Sequence, residues 1–365
     1  MLKENVEKDH NNPSMKYRLF NPFRLFVGAF FGISILFTSL FGNYIITMFL
    51  FLIFLGKHRL WRRLMDRAIS FWMMIPIGFI EFVFGVRIRV TGDLIDIDRP
   101  ALIIMNHRTR LDWMYMWSAL YQQNPWLITT NKISLKAQLR KLPGAGFGMA
   151  GAQYVFLERN MEIDKISFDQ AIEYYKGMDR NYQLLLFPEG TDKSPWTTVK
   201  STEYAKKNGL RQLKHVLYPR TTGFYHLLKK MRQLDYIDYI YDITIAYPYN
   251  IVQSEVELVL KGAGPREVHF NVRKIPISQV PHSEEDTGKW LLDKWLEKEE
   301  LLESFYADPK PYNREFQVRQ GEGVWCNIGF IYFVIASGYV SWYHGGIDRF
   351  VYRSWRQSTQ RDNFI

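Results

Sequence analysis

The chain has 365 residues, long enough for one large domain or two modest ones, and a formal net charge of +10 at neutral pH. That balance points to an anionic partner, and an aromatic content of 16% favours a membrane surface over nucleic acid. The single cysteine, Cys326, excludes an intrachain disulfide and a cysteine-pair zinc site, and its apolar setting marks it as a small buried hydrophobe.

Residues 1–24 form a polar tail, its first part expected to be disordered. From Leu25 to Gly56 no residue is charged. At about 1.5 Å per residue a continuous helix of that length would exceed a hydrocarbon core of about 30 Å. Either one helix tilts strongly or the run folds back near Gly42-Asn43. Lys16, Arg18 and Arg24 precede it, and Lys57, Arg59, Arg62, Arg63 and Arg67 follow. Positive charge on both flanks favours the hairpin, with both ends in the cytosol. The run is too long for a signal peptide and lacks a small-residue cleavage site behind it. A second apolar stretch, Ala68 to Phe84, is broken by Pro76 and Glu81 and reads as interfacial or re-entrant, so residues 25–84 are expected to be membrane-embedded. Near the other end, Gly323 to Ile347 is again free of formal charge, a transmembrane candidate followed by a basic tail, 348–365. The expectation is an integral membrane protein.

Between these ends, residues 85–312 are polar and globular in character. Strands are predicted at Ala101–Met105, Tyr154–Leu157, Gln183–Phe187, Ile243–Tyr247, Val256–Leu260 and Val268–Val272. Helices are predicted at Lys132–Lys141, Asp164–Met178, Phe224–Gln233 and Glu284–Phe305, the last after Ser283 as N-cap. Strands alternating with helices predict an α/β fold with a mainly parallel sheet flanked by helices, whose reactive groups gather at the carboxyl ends of strands.

Three stretches there carry chemistry. In Asn106-His107-Arg108-Thr109-Arg110-Leu111-Asp112, the histidine is suited to take a proton from an alcohol, and an acid five residues on can hold its ring and steady the imidazolium. The spacing alone does not separate this from a surface or core histidine. In Phe187-Pro188-Glu189-Gly190-Thr191, a strand runs into a glycine turn whose amides, with the Thr191 hydroxyl, could converge on an anion, while Glu189 would orient a donor or a substrate hydroxyl. An ordinary strand-to-loop turn is the alternative. In Tyr154–Arg159 a strand delivers Arg159 as a phosphate ligand or as a solvated rim residue. Gly146, Gly148 and Gly151 match a dinucleotide-binding pattern by count, but no strand precedes them. No GxSxG elbow is present, no metal cluster is expected, and the basic residues do not form a nucleic-acid stripe.

Together these stretches resemble the glycerophospholipid acyltransferase family, which includes the 1-acylglycerol-3-phosphate acyltransferases. Its NH-x4-D block is met by Asn106, His107 and Asp112, its arginine-ended strand by Tyr154–Arg159, its FPEGT block by Phe187–Thr191, and its proline-ended strand by Thr244–Pro248. The stretches MNHRTRLDWM, FPEGTDKS, KNGLRQLKHVLYPRTTGF and YDITIAYP are most similar to the lysocardiolipin acyltransferase subgroup. One departure is Tyr247, which stands where the family often has a small residue. The resemblance implies acyl transfer from acyl-CoA, a co-substrate with no cofactor needed, to a lysophospholipid hydroxyl. His107 would be the base and Asp112 its orienter. Asn106, Arg159, Phe187, Pro188, Glu189, Gly190, Thr191 and Pro248 would bind substrate, with Lys132 and Lys136 as further contacts for CoA or lipid phosphates. Trp113, Tyr115, Met116 and Trp117 would wall the site on the membrane side. It also implies a catalytic domain facing the cytosol, at the endoplasmic reticulum, in phospholipid remodelling. Production of phosphatidic acid, or anionic-lipid binding without turnover, are the competing readings.

Overall fold

The computed structural model describes residues 21–316, apart from the side chains at 45 and 46. The transmembrane candidate at 323–347, Cys326 and the tail at 348–365 lie outside the described residues. Helix α1 (Pro22–Met48) is followed by a short α2 (Phe51–Phe54), by α3 (His58–Gly78) and by a π-turn (Phe79–Val83). A seven-stranded sheet follows: β1 (Arg87–Gly92), β2 (Ala101–Met105), β3 (Asn131–Lys136), β4 (Val155–Leu157), β5 (Gln183–Leu186), β6 (Tyr239–Ala246) and β7 (Glu267–Pro276). Between the strands run α4 (Asp112–Gln123), α5 (Leu127–Thr130), α6 (Ala145–Gly151), α7 (Met161–Gly177), α8 (Pro195–Lys207), α9 (Thr221–Gln233) and α10 (Glu255–Lys261). Helix α11 (Glu284–Ala307) comes after β7.

The spatial order is β1-β7-β6-β2-β5-β3-β4, and every pairing is parallel except β6 with β7. The mixed α/β class with a mainly parallel sheet is therefore as expected. Strand β2 lies at the centre, with Ala101 opposite both Gln183 of β5 and Tyr239 of β6. All five of its residues are buried, which is why it reads as an unbroken apolar run. Alternation sends Leu102, Ile104, Leu184 and Leu186 to one face, into a core with Phe168 of α7, Phe224 and Leu228 of α9, and Leu291 and Trp295 of α11. Ile103, Leu185 and Ile245 lie on the other face, equally buried. Helix α4 packs there, where Tyr115 meets Tyr247 edge to face.

Four expectations about elements are corrected. Val256–Leu260 is helix α10, not a strand: Ser254 caps it by accepting the Glu257 amide at 3.3 Å, and two glutamates fill its first turn. Lys132–Lys141 is not one helix. Its first half is β3, paired between β5 and β4, and its second half is a 3-10 turn, Ala137–Lys141. Helix α1 passes through Gly42-Asn43 without folding back; the chain reverses only around α2. Helix α3 also runs through Pro76, which does not break it, and passes directly into the π-turn at Phe79–Val83.

Of the described helices, α1 alone is long and apolar enough to cross a membrane. It is held to the domain through α10. A Cβ on Gly28 would fall 1.9 Å from the Val259 carbonyl oxygen, and one on Gly262 would fall 1.7 Å from the Arg24 carbonyl oxygen. Backbone approaches backbone there, and only glycine allows it.

Candidate active site

Strands β2, β5 and β6 are parallel neighbours, so the residues that follow them emerge side by side at one end of the sheet. Asn106-His107, Phe187–Gly190 and Tyr247-Pro248 converge there, three of the four stretches singled out in the sequence. Asn106 clasps β2 to β6. Its amide accepts from Ile245 N–H at 2.9 Å and donates to the Ile245 carbonyl at 3.2 Å, so its side chain is committed to the frame.

Asp112 opens α4 and is fully buried. Its Oδ2 lies 3.0 Å from His107 Nδ1 and accepts the amides of Arg108 at 2.5 Å and Thr109 at 2.9 Å. Its Oδ1 accepts the Thr109 hydroxyl at 2.9 Å and the Tyr247 hydroxyl at 2.5 Å. A carboxylate so supplied with donors is fixed in position. It holds the proton of the neutral imidazole on Nδ1, which leaves the lone pair on Nε2. The His107 ring stacks on Phe187, with centroids 4.2 Å apart, and stays partly open at 16% side-chain exposure. The arrangement is an oriented base at a sheet end, able to draw a proton from a hydroxyl brought to it.

The Phe187–Gly190 turn departs from expectation in two ways. The Gly190 amide closes the turn onto the Phe187 carbonyl at 2.9 Å, so it is not a free anion donor. Glu189 points inward and is 3% exposed. Its Oε1 accepts the indole N–H of Trp295 at 3.2 Å, while Oε2 receives no well-formed hydrogen bond. Burial raises its pKa to about 8 against the smaller pull of that indole and of the His107 and Leu217 amides, and holds the carboxyl largely neutral near pH 7. Glu189 thus supports the turn from beneath instead of meeting an acceptor hydroxyl. Thr191 stands half-buried on the same loop. Arg159, at a positive φ of 63°, reaches across from β4 to donate to the Gly190 carbonyl at 3.2 Å. Pro248 is buried and its carbonyl accepts from Arg314 at 2.6 Å.

Lys132 is not at this site. It is buried, donates to Asp66 of α3 at 2.7 Å, and burial lowers its pKa to about 8. Lys136 is exposed at the end of β3. Tyr115, Met116 and Trp117 are buried in the packing of α4 and form no outer wall, and only Trp113 of that group is half-exposed. Gly146–Gly151 lies within helix α6, without the preceding strand that dinucleotide binding requires.

A family model described as Acyltransferase matches residues 87–248, and one described as Acyltransferase C-terminus matches 258–328. The chain is 61% identical to lysophosphatidylinositol acyltransferase 10 of Caenorhabditis elegans, over 92% of this chain and 95% of that protein. The chain belongs to the glycerophospholipid acyltransferase family. It is also 40% identical to lysocardiolipin acyltransferase 1 of Gallus gallus, over 80% of this chain and 76% of that one. With the 2-acyl-1-lysophosphatidylinositol acyltransferase of Saccharomyces cerevisiae the identity is 30%, over 57% and 62%.

In this acyltransferase two further residues meet the candidate site, Tyr247 and Arg220. Tyr247, which departs from the small residue frequent in the family, places its hydroxyl among the five donors around Asp112. Arg220 precedes α9, and its amide donates to the Pro188 carbonyl at 2.8 Å. Its side chain lies over Gly190, where a Cβ would come within 3.2 Å of Arg220 Nε. Two arginines, 159 and 220, thus flank one glycine. The signal for Arg220 was its place in a stretch similar to the subgroup, but no spacing rule links it to position 190.

Proposed function

We propose that this enzyme transfers a fatty acyl group from acyl-CoA to the free hydroxyl of a lysophospholipid, of the lysophosphatidylinositol or lysocardiolipin type, in phospholipid remodelling. The observation that carries the chemistry is the five-donor seating of Asp112 against His107 Nδ1. His107 Nε2 takes the hydroxyl proton as the oxygen attacks the thioester carbonyl. Asp112 steadies the imidazolium, which then gives its proton to the departing CoA thiolate. The products are the diacyl lipid and free CoA, with no acyl-enzyme and no cofactor. Arg159 and Arg220 offer charged donors to a lipid or CoA phosphate beside the turn, with Thr191 as a neutral one.

The substrate class follows the names of the relatives, and the lysolipid acceptor resides in the membrane. Phe26, Phe30, Ile33, Phe37 and Phe41 of α1 are exposed, as are Val256 and Leu260 of the adjoining α10, an apolar surface suited to lipid. Lys57, Arg59 and Arg63 are exposed near the start of α3, each contributing about 1 kcal/mol against anionic headgroups. Arg62 is not among them, since it is buried against Asp66. Because acyl-CoA is cytosolic, the site faces the cytosol, and the endoplasmic reticulum is the expected membrane.

The test is incorporation of labelled oleoyl into a panel of lysolipids by microsomes carrying wild type or His107→Ala. We expect incorporation into lysophosphatidylinositol or lysocardiolipin, lost in the variant. Equal incorporation by both proteins would sink the mechanism. Preference for 1-acylglycerol 3-phosphate would reassign the enzyme to phosphatidic acid synthesis.

A further inference from the structure

Cations gather in two groups near the chain segments that carry His107. Toward β4 and β5 stand Arg159 and Arg220. Toward β6 and α11 lies a cavity of about 290 Å³, bordered by Asn106 and Arg108, the sequence neighbours of His107. Its far wall is joined to the catalytic turn by the Lys193 amide, which donates to the His107 carbonyl at 2.8 Å.

Arg108, Lys193, Lys214, His215 and Arg314 line this cavity, and no carboxylate does so among the described residues. Burial lowers the pKa of His215, so Arg108, Lys193, Lys214 and Arg314 carry the charge. Three of the four are braced by neutral oxygens: Arg108 by the Lys193 carbonyl at 3.2 Å, Lys193 by the Thr198 hydroxyl at 2.8 Å, and Arg314 by the Pro248 carbonyl. These contacts fix positions without removing charge. Glu299 lies behind the wall, fully buried, and receives the amides of Lys214, His215 and Val216 at 2.5–3.0 Å. It therefore shapes the loop that presents Lys214. Burial, and then Arg108, lower the Lys193 pKa against the pull of Glu189 and Glu299. Cations gathered around an open volume in this way repel one another until an anion enters. Guanidinium and ammonium groups together suit phosphate oxygens, and the volume is close to the lower end for a small-molecule pocket, about 300 Å³.

We propose that this cavity is a second anion site, which holds a phosphate or phosphodiester group of one of the two substrates while Arg159 and Arg220 serve the other. The assignment of the ligand to a substrate rests on the acyl-transfer reading. Acyl transfer brings together two phosphate-bearing molecules at one histidine, and two basic clusters, one at Gly190 and one lining a cavity bordered by Asn106 and Arg108, match that need. The phosphate could belong to the lysolipid head or to CoA.

Both sources can be told apart with the full-length enzyme in detergent, comparing wild type with the Lys214→Ala/Arg314→Ala double variant. One substrate is held saturating while the other, lysophosphatidylinositol or oleoyl-CoA, is varied. We expect one KM to rise at least tenfold with kcat falling less than threefold. A rise for lysophosphatidylinositol places the headgroup in the cavity, and a rise for oleoyl-CoA places the CoA phosphates there. Lys214→Arg should restore most of the affinity. Both KM values unchanged would overturn the proposal. A second measurement needs no turnover: pyrophosphate should raise the unfolding temperature of wild type at least twice as much as that of the double variant. Equal shifts would overturn the site even in a protein that acylates no lysolipid, whereas loss of acylation alone bears only on the function.

Discussion

Asp112 is the residue on which the proposed mechanism turns, since it holds His107 Nδ1 and also accepts the amides of Arg108 and Thr109. Asp112→Asn keeps the shape of the side chain but cannot steady the imidazolium. We expect turnover to fall on the order of 10³–10⁴-fold, by analogy with triad aspartates. A kcat within tenfold of wild type would remove Asp112 from the mechanism. Glu189 supplies a pH prediction. Its folded pKa, about 8, lies above the ordinary value of 4.5, so the folded state binds this proton more tightly than the unfolded chain. Its contribution to stability is complete below about pH 4.5 and is lost as pH rises through 8. Thermal unfolding of Glu189→Gln should therefore fall less steeply between pH 5 and 8 than that of wild type; parallel slopes would show that Glu189 is already ionised when folded. His107 and Asp112 were both legible as a pair in the sequence. The inward aim of Glu189 was not, because a residue's direction after a strand depends on what lies beneath the turn, here Trp295 of α11.

At the scale of elements, the contact between α1 and α10 depends on Gly28 and Gly262. Gly262 has φ of +53°, and its Cβ position is occupied by the Arg24 carbonyl oxygen. Gly262→Ala must open the contact, and we expect a loss of about 1–3 kcal/mol, the usual cost of overpacking. Denaturation in detergent measures it, and an unchanged midpoint would mean that the two helices separate freely. Predicted elements survived where local signals and packing agreed, as in β2, α7, α9 and α11. They failed where packing overruled composition. Val256–Leu260 has the apolar residues of a strand, but its Ser254 cap and glycine end make it a helix. Lys132–Lys141 has helix formers throughout, but its first half fills the slot between β5 and β4.

Across the whole molecule, a buried ionic cluster ties the N-terminal helices to the sheet. Asp66 of α3 accepts from Lys132 of β3 and Tyr182, each at 2.7 Å, and pairs by charge with Arg62 at 2.8 Å, while Arg62 donates to the Gly151 carbonyl at 2.6 Å. Lys132→Met should cost about 3 kcal/mol, the lower end for breaking a buried pair, because Arg62 remains. Chemical denaturation of the full chain tests this, and a variant as stable as wild type would make the cluster redundant. The apolar face of α1 sets the other expectation. Replacing Phe26, Phe30, Ile33, Phe37 and Phe41 with serine should move the protein from the carbonate-resistant membrane pellet towards the supernatant, and a pellet fraction equal to that of wild type would show that α1 does not anchor it.

Several things were settled by the sequence alone: the α/β class, the apolar first helix, the strand-end positions of His107 and Phe187, and the family through its motif order. These depend on local pattern, on the alternation along a strand and on residue types at fixed spacing. Only the tertiary structure decided that Tyr247 supports Asp112, that Arg220 covers Gly190, that Lys132 is a buried ion partner of Asp66, and that cations from four separate segments surround one cavity. Each of those contacts joins residues far apart in the chain, and their meeting is set by strand order and helix packing, which no local pattern encodes.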